Sequence, residues 1–200
     1  MFMSVTPDLN PKHGEPSTPD KIKRNLRKTL LETRKGITPD ERSRFDREIG
    51  NRVSLYLKSL RFATIGVYLP IRNEPDLSAL YAELSGSMQL SLPITLNKNE
   101  PLQFVQWEPG DSLIKGAYNV SIPEIQDPVN MPEALLIPCV GFTSDRFRLG
   151  YGGGFFDRTL AKYPDTHTVG IAYSCLLTSF ETEENDIPLD CIITETGIVF

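Results

Sequence analysis

Residues 148–157 read Arg-Leu-Gly-Tyr-Gly-Gly-Gly-Phe-Phe-Asp, with four glycines in ten residues, a cation at one end and a carboxylate at the other. Glycine reaches positive φ without steric cost and lets backbone come close to a ligand. Successive N–H groups in such a turn converge on one concavity and can hold an anion. The following residues, from Phe155 through Asp157 and Arg158 to Ala161, have helix-compatible spacing. The last glycines then fall at a helix N-terminus, where the dipole also favours phosphate. The run reads as a phosphate cradle.

Two nucleotide motifs are excluded. A P-loop needs Lys-Ser/Thr after its final glycine, where this chain has Phe155-Phe156. The dinucleotide fingerprint anchored on Gly152 needs a glycine at 155. A flexible surface loop is the plain alternative; the terminal charges, interleaved aromatics and following helix weigh against it. Nucleophilic catalysis has little to draw on. The two histidines are His13, in the N-terminal stretch, and His167, beside an expected strand. Three cysteines, Cys139, Cys175 and Cys191, lie at long spacings among apolar neighbours. They form neither a disulfide framework nor a metal-ligand pattern, and point to core side chains in a reducing cytoplasm.

Two hundred residues with 40% hydrophobic and 24% charged content fit one soluble domain. No apolar run approaches the roughly 18 residues of a membrane helix, and a net charge of −5 argues against nucleic acid. Residues 1–20, polar and proline-rich, lack the pattern of a signal peptide and are expected to be a disordered tail. Residues 21–200 then form the domain.

The elements that must position the glycine run are legible in part. Thr18-Pro19-Asp20 is a plausible helix start, and Ile22, Leu26 and Leu30 form an apolar stripe at intervals of four. Lys23, Arg27 and Arg34 fall within roughly 40° of one another on such a helix. By spacing alone that row reads as a solvated basic face. Thr38-Pro39-Asp40-Glu41 is a capping box opening a second helix with a stripe of Phe45, Ile49, Val53, Tyr56 and Leu60. Residues 62–69 read as a buried strand, and Glu74 falls just beyond its C-terminal end, the edge at which open α/β sheets collect ligands. A short helix over 76–84, a strand over 88–92 ended by Pro93, and an alternating edge strand over 102–107 follow. Trp107 reads as a core anchor. Strands are expected over 134–138, 168–173 and 191–194. The alternation implies βαβ units and a largely parallel or mixed central sheet flanked by helices, an α/β fold.

The run Arg-Leu-Gly-Tyr-Gly-Gly-Gly-Phe-Phe-Asp-Arg resembles the signature of the 5-formyltetrahydrofolate cyclo-ligase family, and the likeness extends over about 21–194. It implies an architecture related to the sugar-phosphate isomerase and CoA-transferase folds. The implied reaction is ATP- and Mg²⁺-dependent conversion of 5-formyltetrahydrofolate to 5,10-methenyltetrahydrofolate, with release of ADP and phosphate. Lys23 and Arg27 match the family's Lys-x-x-x-Arg for ATP phosphates, leaving Arg34 at the surface. The resemblance implies ATP contacts for Arg148, Leu149, Gly150, Tyr151, Gly152, Gly153, Gly154, Phe155 and Phe156. It implies folate contacts for Leu69, Glu74, Tyr118, Tyr151, Gly152, Gly153, Gly154 and Phe155. Arg148 and Glu74 would act in catalysis, and Asp157 and Asp186 would ligate the metal. An extra residue near 117–123 leaves the alignment of Tyr118 open.

Three departures stand out: Thr143 where the family has aspartate, and Phe155 and Phe156 where it has at least one tyrosine. They are the motive for an alternative, a catalytically impaired folate or nucleotide sensor. A sugar-phosphate isomerase or CoA-transferase relative is a further rival, opposed by the basic helix and the two aspartates. The implied partners are ATP and 5-formyltetrahydrofolate, with or without a polyglutamyl chain, bound by a monomer or weak dimer.

Overall fold

The computed structural model describes residues 18–200. The tail expected over 1–20 otherwise lies outside the described residues, but Thr18–Asp20 already belong to the first helix. Helix α1 (Thr18–Lys35) is followed by α2 (Pro39–Leu60), strand β1 (Thr64–Gly66) and α3 (Ser78–Leu84). Then come β2 (Gln89–Ile94), β3 (Gln103–Gln106), β4 (Leu113–Lys115), β5 (Ser121–Pro123) and β6 (Pro128–Val129). The chain continues through β7 (Ala134–Pro138), β8 (Gly141–Phe142), β9 (Arg148–Leu149) and α4 (Phe155–Lys162). It ends with β10 (His167–Ile171), β11 (Cys191–Ile193) and β12 (Ile198–Val199).

Eight strands form one mixed sheet in the order β12-β11-β10-β7-β1-β2-β3-β6. The centre, β11-β10-β7-β1-β2, is parallel, and β12, β3 and β6 add antiparallel margins. The strand order reverses between β1 and β7, because β1 leads outward to β2 and β7 leads the other way to β10. In such sheets the crevice beyond the strand ends at this point is where ligands bind. Two hairpins, β4-β5 and β8-β9, stand outside the sheet.

Local chemistry explains most boundaries. The α2 capping box is formed: Thr38 Oγ1 accepts from Glu41 N at 3.3 Å, and Thr38 N donates to Glu41 Oε2 at 3.1 Å. Ile49, Val53 and Leu57 carry the buried face of α2, while Leu60, expected in that stripe, is exposed. Strand β2 runs through Pro93 rather than stopping at it. Its pairing with β1 ends at Ser91, so the missing N–H disturbs no central ladder, and Pro93 stands opposite Phe104 of β3. Strand β3 is not the edge; the two residues of β6 cover it. Trp107 is core, its ring edge-on to Tyr81 at 6.1 Å.

Helix α1 corrects two expectations. Ile22 is 55% exposed, so the apolar stripe begins only at Leu26. Arg34 is fully buried at the top of the sheet instead of at the surface. The row of cations faces the protein, not the solvent.

Candidate active site

One cavity of about 980 Å³ lies beyond the C-terminal ends of the parallel strands. It is lined by residues just past β1, by the ends of β2 and β7, by the β4-β5 hairpin, by α1 and by the glycine run. Every residue assigned a role from the sequence lines it: Lys23, Arg27, Leu69, Glu74, Tyr118, Asp186 and all of 148–157.

The glycine run begins in β9 of the outlying β8-β9 hairpin and enters α4. Gly154 is the helix N-cap at φ +64°, and Gly152 stands at φ +92°, both left-handed conformations that disfavour side chains. Arg27 Nε donates to the carbonyl of Gly150 at 2.8 Å, tying α1 to the run. A Cβ on Gly152 would touch the Arg27 guanidinium at 3.4 Å. The two charged ends of the run meet: Arg148 Nη1 lies 3.0 Å from Asp157 Oδ1, an ion pair without hydrogen-bond alignment. The Arg148 guanidinium also lies over the Phe156 ring at 5.5 Å. Phe155 faces Arg158 on one side and the edge of Tyr118 on another, at 5.0 and 5.6 Å. Tyr118 sits in a 3₁₀ turn at φ +56°, 65% exposed, and reaches the site through this aromatic contact. Where hydroxyls are absent at Phe155 and Phe156, cation–π contacts remain.

Lys23 Nζ pairs with Asp186 at 2.8 Å and Glu183 at 2.9 Å. Burial works against its charge, yet these two acids outweigh burial and hold its pKa above the ordinary lysine value. Burial lowers the pKa of Arg27. The acidic C-terminal segment therefore meets the basic first helix at the cavity. Thr143 acts locally, its hydroxyl accepting from Phe147 N at 3.2 Å and closing the β8-β9 turn.

Glu74 is almost fully buried, at 2% exposure. Its Oε2 accepts from Ile71 N at 2.9 Å and its Oε1 from the Tyr151 hydroxyl at 2.7 Å. Burial raises its pKa above the usual carboxylate range, with the two hydrogen bonds and the charges of Arg34 and Arg72 opposing. Arg72 and Asn73, just before it, both have positive φ, a tight turn that aims Glu74 inward.

Sequence reasoning missed Arg34, Arg72, Lys98 and Lys115. Arg72, Lys98 and Lys115 line the cavity. Arg34 lies behind it and holds Tyr151 at 2.6 Å. The row Lys23, Arg27, Arg34 was the available signal for Arg34; nothing in the spacing distinguishes Lys98 or Lys115 from surface lysines. His167 is structural. It opens β10 at the opposite edge of the sheet, stacks on Phe62 and lies 2.9 Å from the Tyr56 hydroxyl. Burial pushes the thiols of Cys139 and Cys191 up to about 12 and about 11, which removes them as nucleophiles.

Among the described residues no three His, Cys, Asp or Glu side chains gather as a metal cluster. Asp157 and Asp186 nonetheless fit Mg²⁺, which takes one or two carboxylates and completes its shell with water and phosphate oxygens. Their contacts within the protein use Asp157 Oδ1 and Asp186 Oδ2, leaving one hard oxygen on each.

Fold and site together define an α/β enzyme class with a glycine-rich turn lining a cavity at the switch point of its sheet. The model of the 5-formyltetrahydrofolate cyclo-ligase family matches residues 19–195. The chain belongs to that family. It is 28% identical over 178 residues to the 5-formyltetrahydrofolate cyclo-ligase of Escherichia coli K12, covering 84% of this chain and 98% of that protein. Identity with the Mycoplasma pneumoniae 5-formyltetrahydrofolate cyclo-ligase is 30% over 177 residues, 86% of this chain and 98% of the relative. The solved 5,10-methenyltetrahydrofolate synthetase of Aquifex aeolicus superposes with a TM-score of 0.78 at 27% identity, covering 88% of this chain and 91% of the other. That of Mycoplasma pneumoniae gives 0.73 at 28% identity, covering 86% and 98%. Among the described residues no helix is long and apolar enough to cross a membrane.

Proposed function

We propose that this enzyme couples ATP cleavage to ring closure of 5-formyltetrahydrofolate. The observation that carries the reading is convergence: the cationic face of α1, the glycine run and Glu74 open onto one cavity at the switch point. The formyl oxygen attacks the γ-phosphorus of ATP and ADP departs. N10 attacks the activated carbon and gives up its proton, and loss of phosphate leaves 5,10-methenyltetrahydrofolate.

The residues around the cavity divide this chemistry among them. Lys23, Arg27 and the amides entering α4 hold the phosphates, where charge must be neutralised and the attacking oxygen aligned. Arg148 lies beside Asp157 at the head of α4 and supplies positive charge to the transferred group. Glu74 accepts hydrogen bonds from the folate, with Leu69 and the Tyr118–Phe155 pair supplying apolar walls. Asp157 and Asp186 are the residues that would hold Mg²⁺, whose contribution when bound is to neutralise phosphate charge. Lys98 and Lys115, at the cavity wall, suit the carboxylates of a polyglutamyl substrate. Three free cysteines agree with action in the cytoplasm.

The test is the absorbance of methenyltetrahydrofolate formed from 5-formyltetrahydrofolate, with ATP and Mg²⁺ present or singly omitted. The reading requires signal only with all three. Binding of both ligands without turnover would make the chain a sensor, and absence of binding would remove the glycine run from nucleotide chemistry.

A further inference from the structure

Arg34 ties together the two chain segments that part at the switch point. Its Nε donates to the carbonyl of Arg72, past β1, at 3.1 Å, and its Nη1 to the carbonyl of Cys139, past β7, at 3.3 Å. Its Nη2 donates to the Tyr151 hydroxyl oxygen at 2.6 Å. A guanidinium only donates. The Tyr151 oxygen is therefore an acceptor toward Arg34, and its single proton is committed to Glu74 Oε1, 2.7 Å away. The direction of the chain is fixed: Arg34 to Tyr151 to Glu74.

We infer that Arg34 and Tyr151 are positioning residues for Glu74, a one-way hydrogen-bond relay that keeps its carboxylate an oriented acceptor for the folate. This rests on the proposed function, in which Glu74 contacts that substrate. A carboxyl group buried to this degree tends to take up a proton, and a protonated Glu74 would offer a donor where the ligand also donates. The relay opposes protonation by giving Oε1 a donor backed by a buried positive charge, while Ile71 N occupies Oε2. The other groups facing Glu74 are Arg72 on its own turn, Tyr68 just past β1, Tyr81 on α3 and Cys139 just past β7. Burial pushes the ionisation of Tyr68, Tyr81 and Cys139 upward, so Arg34 and Arg72 are the charges that act on it. Of these two, Arg34 has a donor path to the carboxylate, through the glycine run itself. Tyr151 thus links the phosphate-binding turn to the folate-binding carboxylate.

The experiment is calorimetric titration of 5-formyltetrahydrofolate into the full chain without ATP, across about pH 5–9. Wild type, Tyr151→Phe, Arg34→Met and Glu74→Ala are compared, with ATP titrated separately. Tyr151→Phe keeps the ring and both carbonyl bonds of Arg34. It should weaken folate binding roughly tenfold near neutral pH and recover toward wild type in alkali, moving the acidic limb up by about one pH unit. Any loss of ATP affinity should be smaller than the loss of folate affinity and should not vary with pH across this range. Arg34→Met should move the limb at least as far; should it not fold, Tyr151→Phe decides alone. An unmoved limb, or a weakening independent of pH, overturns the inference when Glu74→Ala has lost folate binding. Wild-type folate affinity in Glu74→Ala overturns the underlying assignment of Glu74, and the relay with it.

Discussion

Arg148 and Asp157 close the two ends of the glycine run in sequence and meet at 3.0 Å in space, so each depends on the other. Asp157→Asn preserves shape and removes the charge that balances a guanidinium whose side chain is only 5% exposed. Turnover that depends on Mg²⁺ should vanish while folate binding persists. Because Asp157 is itself partly exposed, the stability cost should stay below roughly 3 kcal/mol. Steady-state assays across Mg²⁺ concentrations, with folate calorimetry and a melting curve on the same sample, separate these effects; unchanged turnover refutes the metal role. At this scale the sequence was legible where residue type and spacing coincide, as in residues 148–157. It was not legible for Arg34, because a cation on a helix face is usually solvated and its burial is made tolerable by distant acceptors, the carbonyls past β1 and β7 and the Tyr151 hydroxyl. Arg72 was hidden for a related reason: its role depends on a left-handed turn that its residue type does not announce.

Helix α4 begins where the last glycine ends, and that junction can be tested as a unit. Gly154 holds φ +64°, and an added Cβ would come within 2.7 Å of Arg158 Nη1, which is the far end of a flexible side chain. The strain in Gly154→Ala is therefore mainly in the backbone, about 1–2 kcal/mol. For a chain of this size that lowers Tm by roughly 2–8 °C. Since the residues at the α4 N-terminus line the cavity and are proposed to hold phosphate, ATP affinity should fall with it. Calorimetry with ATP and a thermal melt decide; wild-type ATP affinity would mean the helix terminus does not carry the anion. Helices were well legible because their signals are local: the Thr38–Glu41 box sets the start of α2 and the apolar stripe sets its face. Strands were less so. The apolar run 62–69 yields only Thr64–Gly66 as strand, since the residues beyond leave the sheet to form the cavity wall. The β4-β5 and β8-β9 hairpins carry no strong local pattern and depend on pairing outside the main sheet.

At the scale of the whole molecule, burial acts on two carboxyl groups, Glu74 in the cavity wall and the half-buried Asp46 of α2, and this gives stability a definite pH dependence. Asp46, on α2, accepts from the Tyr173 hydroxyl at 2.7 Å, and burial raises its pKa as it does that of Glu74. Neither burial nor reversed strand order is written in local sequence; both depend on how distant segments pack. The parallel centre of the sheet was legible from alternation, and a mixed sheet was expected, but the short strands β6 and β12 at its margins carry too few residues to be read. A carboxyl whose pKa is higher in the folded chain than in the unfolded one binds its proton more tightly when folded. Its contribution is complete below the unfolded value and is lost as pH rises through the folded value. The melting temperature of wild type relative to Glu74→Gln should therefore decline as pH is raised from the ordinary carboxylate range toward neutrality. The amide of the variant does not titrate, so the difference isolates Glu74 from Asp46 and from the surface acids. Melts of both proteins in matched buffers measure it. A difference that grows with pH would mean that the hydrogen bonds from Ile71 and Tyr151 and the charge of Arg34 outweigh burial, so that Glu74 is held below the usual carboxylate range instead of above it.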